Sequence, residues 1–223
     1  MGYILNIETS TTNCSVALSN NGILIGFKED NSLEYSHAER LHVYIDEVLK
    51  AAQVSKDQLE AIAISKGPGS YTGLRIGVSA AKGLCYALSL PLISVPTLEA
   101  LAHQVDAPKG MIIAMLDARR MEVYSAIYDA HCNETRATEA EVLTPESYQE
   151  LLDASLVYFI GNGVAKTKEI ITHKNAQFVE DKLPSAKQMC VLAFDKFKSN
   201  NFEDVAYFEP FYLKDFIAIP SKK

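Results

Sequence analysis

The sequence predicts an α/β protein of two similar lobes, each built on a mixed β-sheet flanked by helices. Two observations carry this. Residues 3–104 read as three short strands followed by alternating helices and strands, in the order βββαβαβα. From Met111 the order begins again: "MIIAMLD" is an apolar run ending in an acid, as "YILNIE" is, and "EVYSAIYD" alternates as "CSVALS" does. Glu8 and Asp117 hold equivalent places in the two runs. Identity between the halves is negligible, so the repeat is one of pattern.

The elements of the first lobe follow in order. "YILNIE" is a short apolar strand, "TSTTN" breaks it, and "CSVALS" is the next strand. Asn21-Gly22, the strongest short hairpin signal, joins this to "ILIGFKE". Ser36 and Glu39 form a capping box ahead of Leu41, Tyr44, Ile45, Val48, Leu49 and Ala52 at helical spacing, which predicts an amphipathic helix over 37–53. "LEAIAISKG" is a buried strand that ends in a glycine loop. A helix over 72–89, the strand "PLISV" and a short helix over 97–104 complete the lobe.

The second lobe adds "TEAEVLT", a helix at 145–153 and the strand "LVYFIG". The loop Gly161-Asn162-Gly163 follows with a helix behind it, and a last helix spans 185–199. The boundary falls in "QVDAPKG", giving lobes of 1–105 and 106–205. The C-terminal segment 206–223, which holds the aromatic "YFEPFYLKDF", is expected to pack back on the first lobe.

Composition narrows the function classes. A chain of 223 residues buries roughly 70% of its unfolded surface, so no disulfide or metal staple is needed. No apolar run approaches the ~20 residues of a membrane span, and the N-terminus lacks the basic and apolar regions of a signal peptide. Gly2 does not open a myristoylation motif, because residue 6 is Asn. Cys14, Cys85, Cys132 and Cys190 are far apart and read as buried free thiols of a reducing cytoplasm. A net charge of −7 argues against this chain gripping nucleic acid by itself.

Chemistry-bearing motifs are few. "KGPGSYTGLRIG" fits neither the Walker pattern, since Leu74 follows Gly73, nor the dinucleotide pattern, since residue 72 is Thr. A tight strand-to-helix turn with a Ser or Thr cap is its plainer reading. Glu8 at a strand end, with Thr9, Ser10 and Thr11 after it, has the groups to hold a Mg²⁺–phosphate; a turn satisfying its own backbone is the alternative. Gly161 and Gly163 would line the nucleotide in such a site. His37 and His42 are five apart on one helix and face different ways, so a metal site from this chain alone is not expected. No nucleophile–base pair assembles from the sequence, and no catalytic residue is assigned.

The helix "GLRIGVSAAKGLCYAL" is apolar or small almost all round, so every face needs a cover. One face meets the lobe's own sheet. For the other, the first helix and a partner molecule are equally good covers.

"GPGSYTGLRIG" resembles the "GPGSFTGLRIG" signature of the TsaB (YeaZ) family. "ILNIETSTTNCSVAL", "SHAERLHVYIDEVL" and "DARRMEVYSAIY" resemble its opening strands, its first helix and the start of its second lobe. "EPFYLKD" is similar to its closing P-x-Y-L-R element, with Lys214 for Arg. The resemblance covers most of 1–130 and the C-terminus, and is weak over 131–205. It implies two actin/Hsp70-like (ASKHA, ribonuclease H-like) lobes. It further implies a dimerisation or scaffold subunit of the complex that makes threonylcarbamoyladenosine (t6A) in tRNA. The expected partners are a catalytic TsaD-like subunit, a TsaE-like ATPase, a second copy when alone, and tRNA through the complex rather than by tight direct binding. No membrane is implied.

TsaD has a metal-binding H-x-x-x-H after the strand matching "PLISVP"; here Thr97-Leu98-Glu99-Ala100-Leu101 stands there. The resemblance therefore implies no catalysis and no cofactor for this chain alone, with ATP, Mg²⁺ and metal on its partners. It also decides the cover of the second helix: a partner contact through Leu41, Tyr44, Ile45, Val48, Leu74, Val78, Ala81 and Cys85, rimmed by His37, Arg40 and Arg75. Glu8, Thr9, Ser10, Thr11, Gly161 and Gly163 become a vestigial nucleotide or phosphate site. The competing readings are a small-molecule kinase or ATPase of the same fold and an M22-type metallopeptidase.

Overall fold

The computed structural model describes residues 2–31 and 37–214. Two five-stranded sheets form the frame. In the first, β1 (Tyr3–Glu8), β2 (Cys14–Asn20) and β3 (Ile23–Asp30) run antiparallel, while β4 (Leu59–Ser65) and β5 (Leu92–Val95) run parallel to β1, in the order β3-β2-β1-β4-β5. The second sheet repeats this arrangement. β6 (Met111–Asp117), β7 (Glu122–Asp129) and β8 (Glu134–Val142) form the meander, and β9 (Val157–Ile160) and β10 (Ala176–Val179) add in parallel. The pattern repeat is thus a repeat of topology. β10 answers to no sequence expectation. It is four residues long and never fully buried, too short and too mixed to show a period.

Asn21 and Gly22 turn β2 into β3 with φ of 52° and 79°, the left-handed backbone that this dipeptide tolerates. Helices follow their apolar periods. α1 spans His37–Ala51, α2 Tyr71–Leu88, α3 Thr97–Ala102, α4 Gln149–Ala154, α5 Val164–Ile170 and α6 Ala186–Lys198. Ser36, half of the expected capping box, lies outside the described residues.

Period-two alternation sends the strand residues of the first sheet to two cores. Leu5, Ile7, Val16, Leu18, Ile62 and Ile64 meet α1 and α2 on one face. Ile4, Ala17, Ala61, Ala63, Ile93 and Val95 meet Ala186, Met189, Cys190 and Ala193 of α6 on the other. So α6, expected in a second lobe of 106–205, packs on the first sheet. Its small stripe fits the alanines that this sheet presents, which linear order does not reveal. α3 bridges the lobes, placing Leu98, Leu101 and Ala102 in the second sheet's core. α4 and α5 cover that sheet's other face through Leu152 and Val164.

The segment after α6 straps α2. Glu203 N donates to Leu92 O at 2.8 Å and Phe211 N to Lys66 O at 2.7 Å. Lys82 Nζ donates to Ala206 O and Phe208 O at 3.1 and 3.0 Å. Tyr212 lies with its ring centroid 5.1 Å from that of Tyr71. Among the described residues no helix is long and apolar enough to cross a membrane.

Candidate functional site

The glycine loop and the Thr9–Ser10 turn occupy each other's space. Ser70 N donates to Ser10 O at 2.6 Å, and Thr9 Oγ1 donates to Gly73 O at 2.8 Å. A Cβ on Gly69 would lie 2.4 Å from Ser10 O, and one on Gly73 would lie 2.1 Å from Thr9 O. These glycines admit protein backbone, where a phosphate loop admits ligand oxygens. Ser70 caps α2 by accepting from Gly73 N at 3.3 Å, as the plainer reading of the loop requires.

This geometry corrects the vestigial phosphate site. Glu8, Thr9 and Ser10 are at most 1% exposed and Thr11 6%. Glu8 Oε1 accepts from Ser10 N at 2.6 Å, so the turn does satisfy its own backbone. Burial pushes the Glu8 carboxyl above the usual carboxylate range, opposed by hydrogen bonds from Ser10. The other half of the site is also filled. Gly161 has φ 113°, and a Cβ there would lie 2.1 Å from Met115 O; both Gly161 and Gly163 are buried beneath β6. Glu8, Thr9, Ser10, Gly161 and Gly163 are thus packed against their own chain.

The expected partner contact is corrected as well. Leu41, Tyr44, Ile45, Val48, Leu74, Val78, Ala81 and Cys85 are buried in this chain, most of them against its own first sheet. The sheet, lying directly below both helices, takes their most apolar faces. Of the rim residues, His37 is 1% exposed, its Nε2 2.7 Å from Thr11 O. Arg40 is ion-paired with Asp30. Only Arg75 is exposed, over the Tyr71 ring at 4.4 Å. Cys14, Cys85 and Cys190 are buried free thiols; burial pushes them to about 11, 12 and 11. Cys132 is half-buried, not buried as expected.

What α1 and α2 leave uncovered is a different stripe. Ala38 and His42 of α1, with Arg75, Ile76, Ser79, Ala80, Gly83 and Leu84 of α2, line an open groove of about 580 Å³. Gly83 sits mid-helix with nothing within 4 Å of the Cβ position, so no contact of its own chain explains it. A glycine there costs the helix about 0.5–1 kcal/mol against alanine. Val43 and Tyr86, on the same helices, are 51% and 85% exposed. Sequence periodicity missed this face because the small residues Ala38, Ser79, Ala80 and Gly83 and the polar His42 and Arg75 dilute its apolar Ile76 and Leu84. The one available signal was the mid-helix Gly83 beside Ser79 and Ala80.

Comparison with known proteins then decides the family. Over 233 aligned residues the chain is 31% identical to the tRNA threonylcarbamoyladenosine biosynthesis protein TsaB of Escherichia coli, covering 99% of both chains. The chain belongs to the TsaB family. A solved structure, YeaZ from Pseudomonas aeruginosa, superposes on this TsaB-family chain with TM-score 0.82 at 29% identity, over 96% of this chain and all of that one. The family model described as TsaD, tRNA N6-adenosine threonylcarbamoyltransferase, matches residues 32–221.

The fold is the actin-like ASKHA fold. The activator of 2-hydroxyisocaproyl-CoA dehydratase from Clostridium difficile shares it, with TM-score 0.50 at 11% identity over 89% of this chain and 97% of that one. Within the TsaB-family chain, the place of the TsaD histidines holds structural residues. Thr97 Oγ1 accepts from Gly67 N at 3.1 Å, and Leu101 is fully buried in the core of the second sheet. Among the described residues no group of three or more His, Cys, Asp or Glu is placed to hold a metal ion.

Proposed function

We propose that this chain is a non-catalytic scaffold subunit of the cytoplasmic machinery that makes t6A in tRNA. Its α1–α2 groove seats the TsaD-type catalytic subunit. The observation that carries the reading is the open stripe on α2, where a Cβ on Gly83 would meet nothing within 4 Å beyond its own helix backbone. Small residues let a partner helix approach closely. The names of the chain's relatives, which the family shares, supply the pathway. A TsaE-type ATPase joins the same assembly, and tRNA reaches it through the complex. When the chain is alone, a second copy occupies the groove through the same patch on both molecules. ATP, Mg²⁺ and metal belong to the partners, in keeping with the filled space around Glu8 and Gly161.

The test is size-exclusion chromatography with and without a TsaD-type subunit. The mixture is expected to elute as one complex, and Ala80→Glu is expected to abolish it. Co-elution undiminished by Ala80→Glu refutes the groove. Calorimetry of the isolated chain with ATP and Mg²⁺ addresses the kinase reading. No heat of binding is expected, and micromolar binding would favour the enzyme.

A further inference from the structure

The loop between β6 and β7 holds both arginines of "DARRMEVY" in a backbone that such residues avoid. Arg119 has φ 72° and Arg120 φ 49°. Left-handed geometry crowds the Cβ of any L-residue, and glycine or asparagine escapes most of that cost. Here the surroundings enforce it. Asp117 Oδ1 accepts from Arg119 N at 2.7 Å, and Asn162 Oδ1 accepts from Asp117 N at 2.8 Å. Lys166 Nζ donates to Arg120 O at 2.6 Å and to Glu122 O at 2.9 Å, and also pairs with Asp117. The Lys166 side chain is only 14% exposed, so the clamp is built into the lobe.

The acids at the base of the loop are neutralised, Asp117 by Lys166 and Glu122 by Lys214. That leaves the two guanidiniums. Arg119 and Arg120 are exposed, and neither side chain has a hydrogen-bond or ion-pair partner among the described residues. A series of contacts joins the loop to the proposed groove. Lys214 is two residues after Tyr212, which contacts Tyr71, and Arg75 of the groove stacks on that same Tyr71.

We infer that the Arg119–Arg120 turn contacts the phosphodiester backbone of an RNA held by the assembled complex. The inference rests on the reading of this chain as a t6A subunit. A guanidinium fork matches phosphate oxygens, and a preset turn has less freedom to lose on binding. A chain of net charge −7 does not attract a polyanion as a whole, so any contact must be local and rigid. The turn is a hairpin tip, and it lines neither the groove between α1 and α2 nor the one between α2 and the tail. A free nucleotide would find no enclosure there, whereas a large RNA brings its own surface.

The test uses the full chain in complex with a TsaD-type subunit, with assembly checked by co-elution. The probe is a fluorescent tRNA transcript, titrated by anisotropy across a salt series. Arg119→Asn/Arg120→Gly removes the charges and suits the backbone. It is expected to raise the melting temperature and to leave the complex assembled. Binding should weaken about tenfold, with the slope of log affinity against log salt shallower by about 1.5–2, the release of two phosphate contacts. Arg119→Lys/Arg120→Lys should keep most of the slope. An assembled double variant with unchanged affinity and slope overturns the inference. So does a wild-type complex that does not bind the transcript, or a loss confined to assembly with another protein subunit. Failure of the wild type to assemble sinks the groove reading instead, and the inference that rests on it falls with it; co-elution without a change of slope in the double variant overturns the arginines alone.

Discussion

Two glycines six residues apart on α2 should respond oppositely to the same added methyl. At Gly83 the Cβ position has nothing within 4 Å. Gly83→Ala therefore keeps the whole helix-propensity gain, about 1 kcal/mol, which for a chain of this size is about 2–4 °C in Tm. At Gly77 the same Cβ would lie 2.2 Å from Thr9 Oγ1 and 3.0 Å from Ile64 Cδ1. Thr9 is fully buried and its hydroxyl donates to Gly73 O at 2.8 Å. Moving it forfeits that bond, about 1 kcal/mol, and overpacks the site by about 1–3 kcal/mol. Against the same propensity gain, Gly77→Ala should be net destabilising by about 1–3 kcal/mol. The assay is urea unfolding of the isolated chain followed by circular dichroism. It is run at a protein concentration where the chain elutes as a monomer, because a groove-mediated dimer would add stability that depends on concentration. At higher concentration the Gly83→Ala gain should shrink, since the methyl enters the groove. A stabilising Gly77→Ala, or a destabilising Gly83→Ala in the monomer, would refute the division of α2 into an inward and an outward face.

The adjacent residues Ala80 and Ala81 make a second pair. Ala81 is fully buried, so Ala81→Glu should cost several kcal/mol and unfold much of the chain, seen as lost cooperative melting. Ala80 lines the groove and is half-buried at the edge of the first core, so Ala80→Glu should lower the monomer's Tm by a few degrees, far less than Ala81→Glu, while preventing co-elution with the catalytic subunit. Glu8 gives a pH test. Burial raises its folded-state carboxyl above the unfolded one, so the native chain retains a proton that the unfolded chain has released, and stability falls as pH rises through that window. Glu8→Gln, which keeps the acceptor for Ser10 N, should stabilise near about pH 8 and lose its advantage near about pH 4. A gain that grows on acidification would contradict this sign.

The sequence alone determined the order of elements except β10, the restart at Met111, the Asn21-Gly22 hairpin and, through residues 67–77, the family. These are local or periodic properties, and a single chain displays them. It also marked the faces of α1 and α2 that must be covered, but not what covers them. Hydrophobic periodicity measures the need for burial and is silent about the neighbour, so Leu41, Ile45, Val78 and Ala81 looked free for a partner when their own sheet lies beneath them. Only the tertiary structure showed that α6 crosses to the first sheet, that the glycine loop is filled by Thr9 and Ser10, and that Gly83 meets open space. Those facts depend on contacts between distant segments, and packing fixes them only once the chain has folded back on itself.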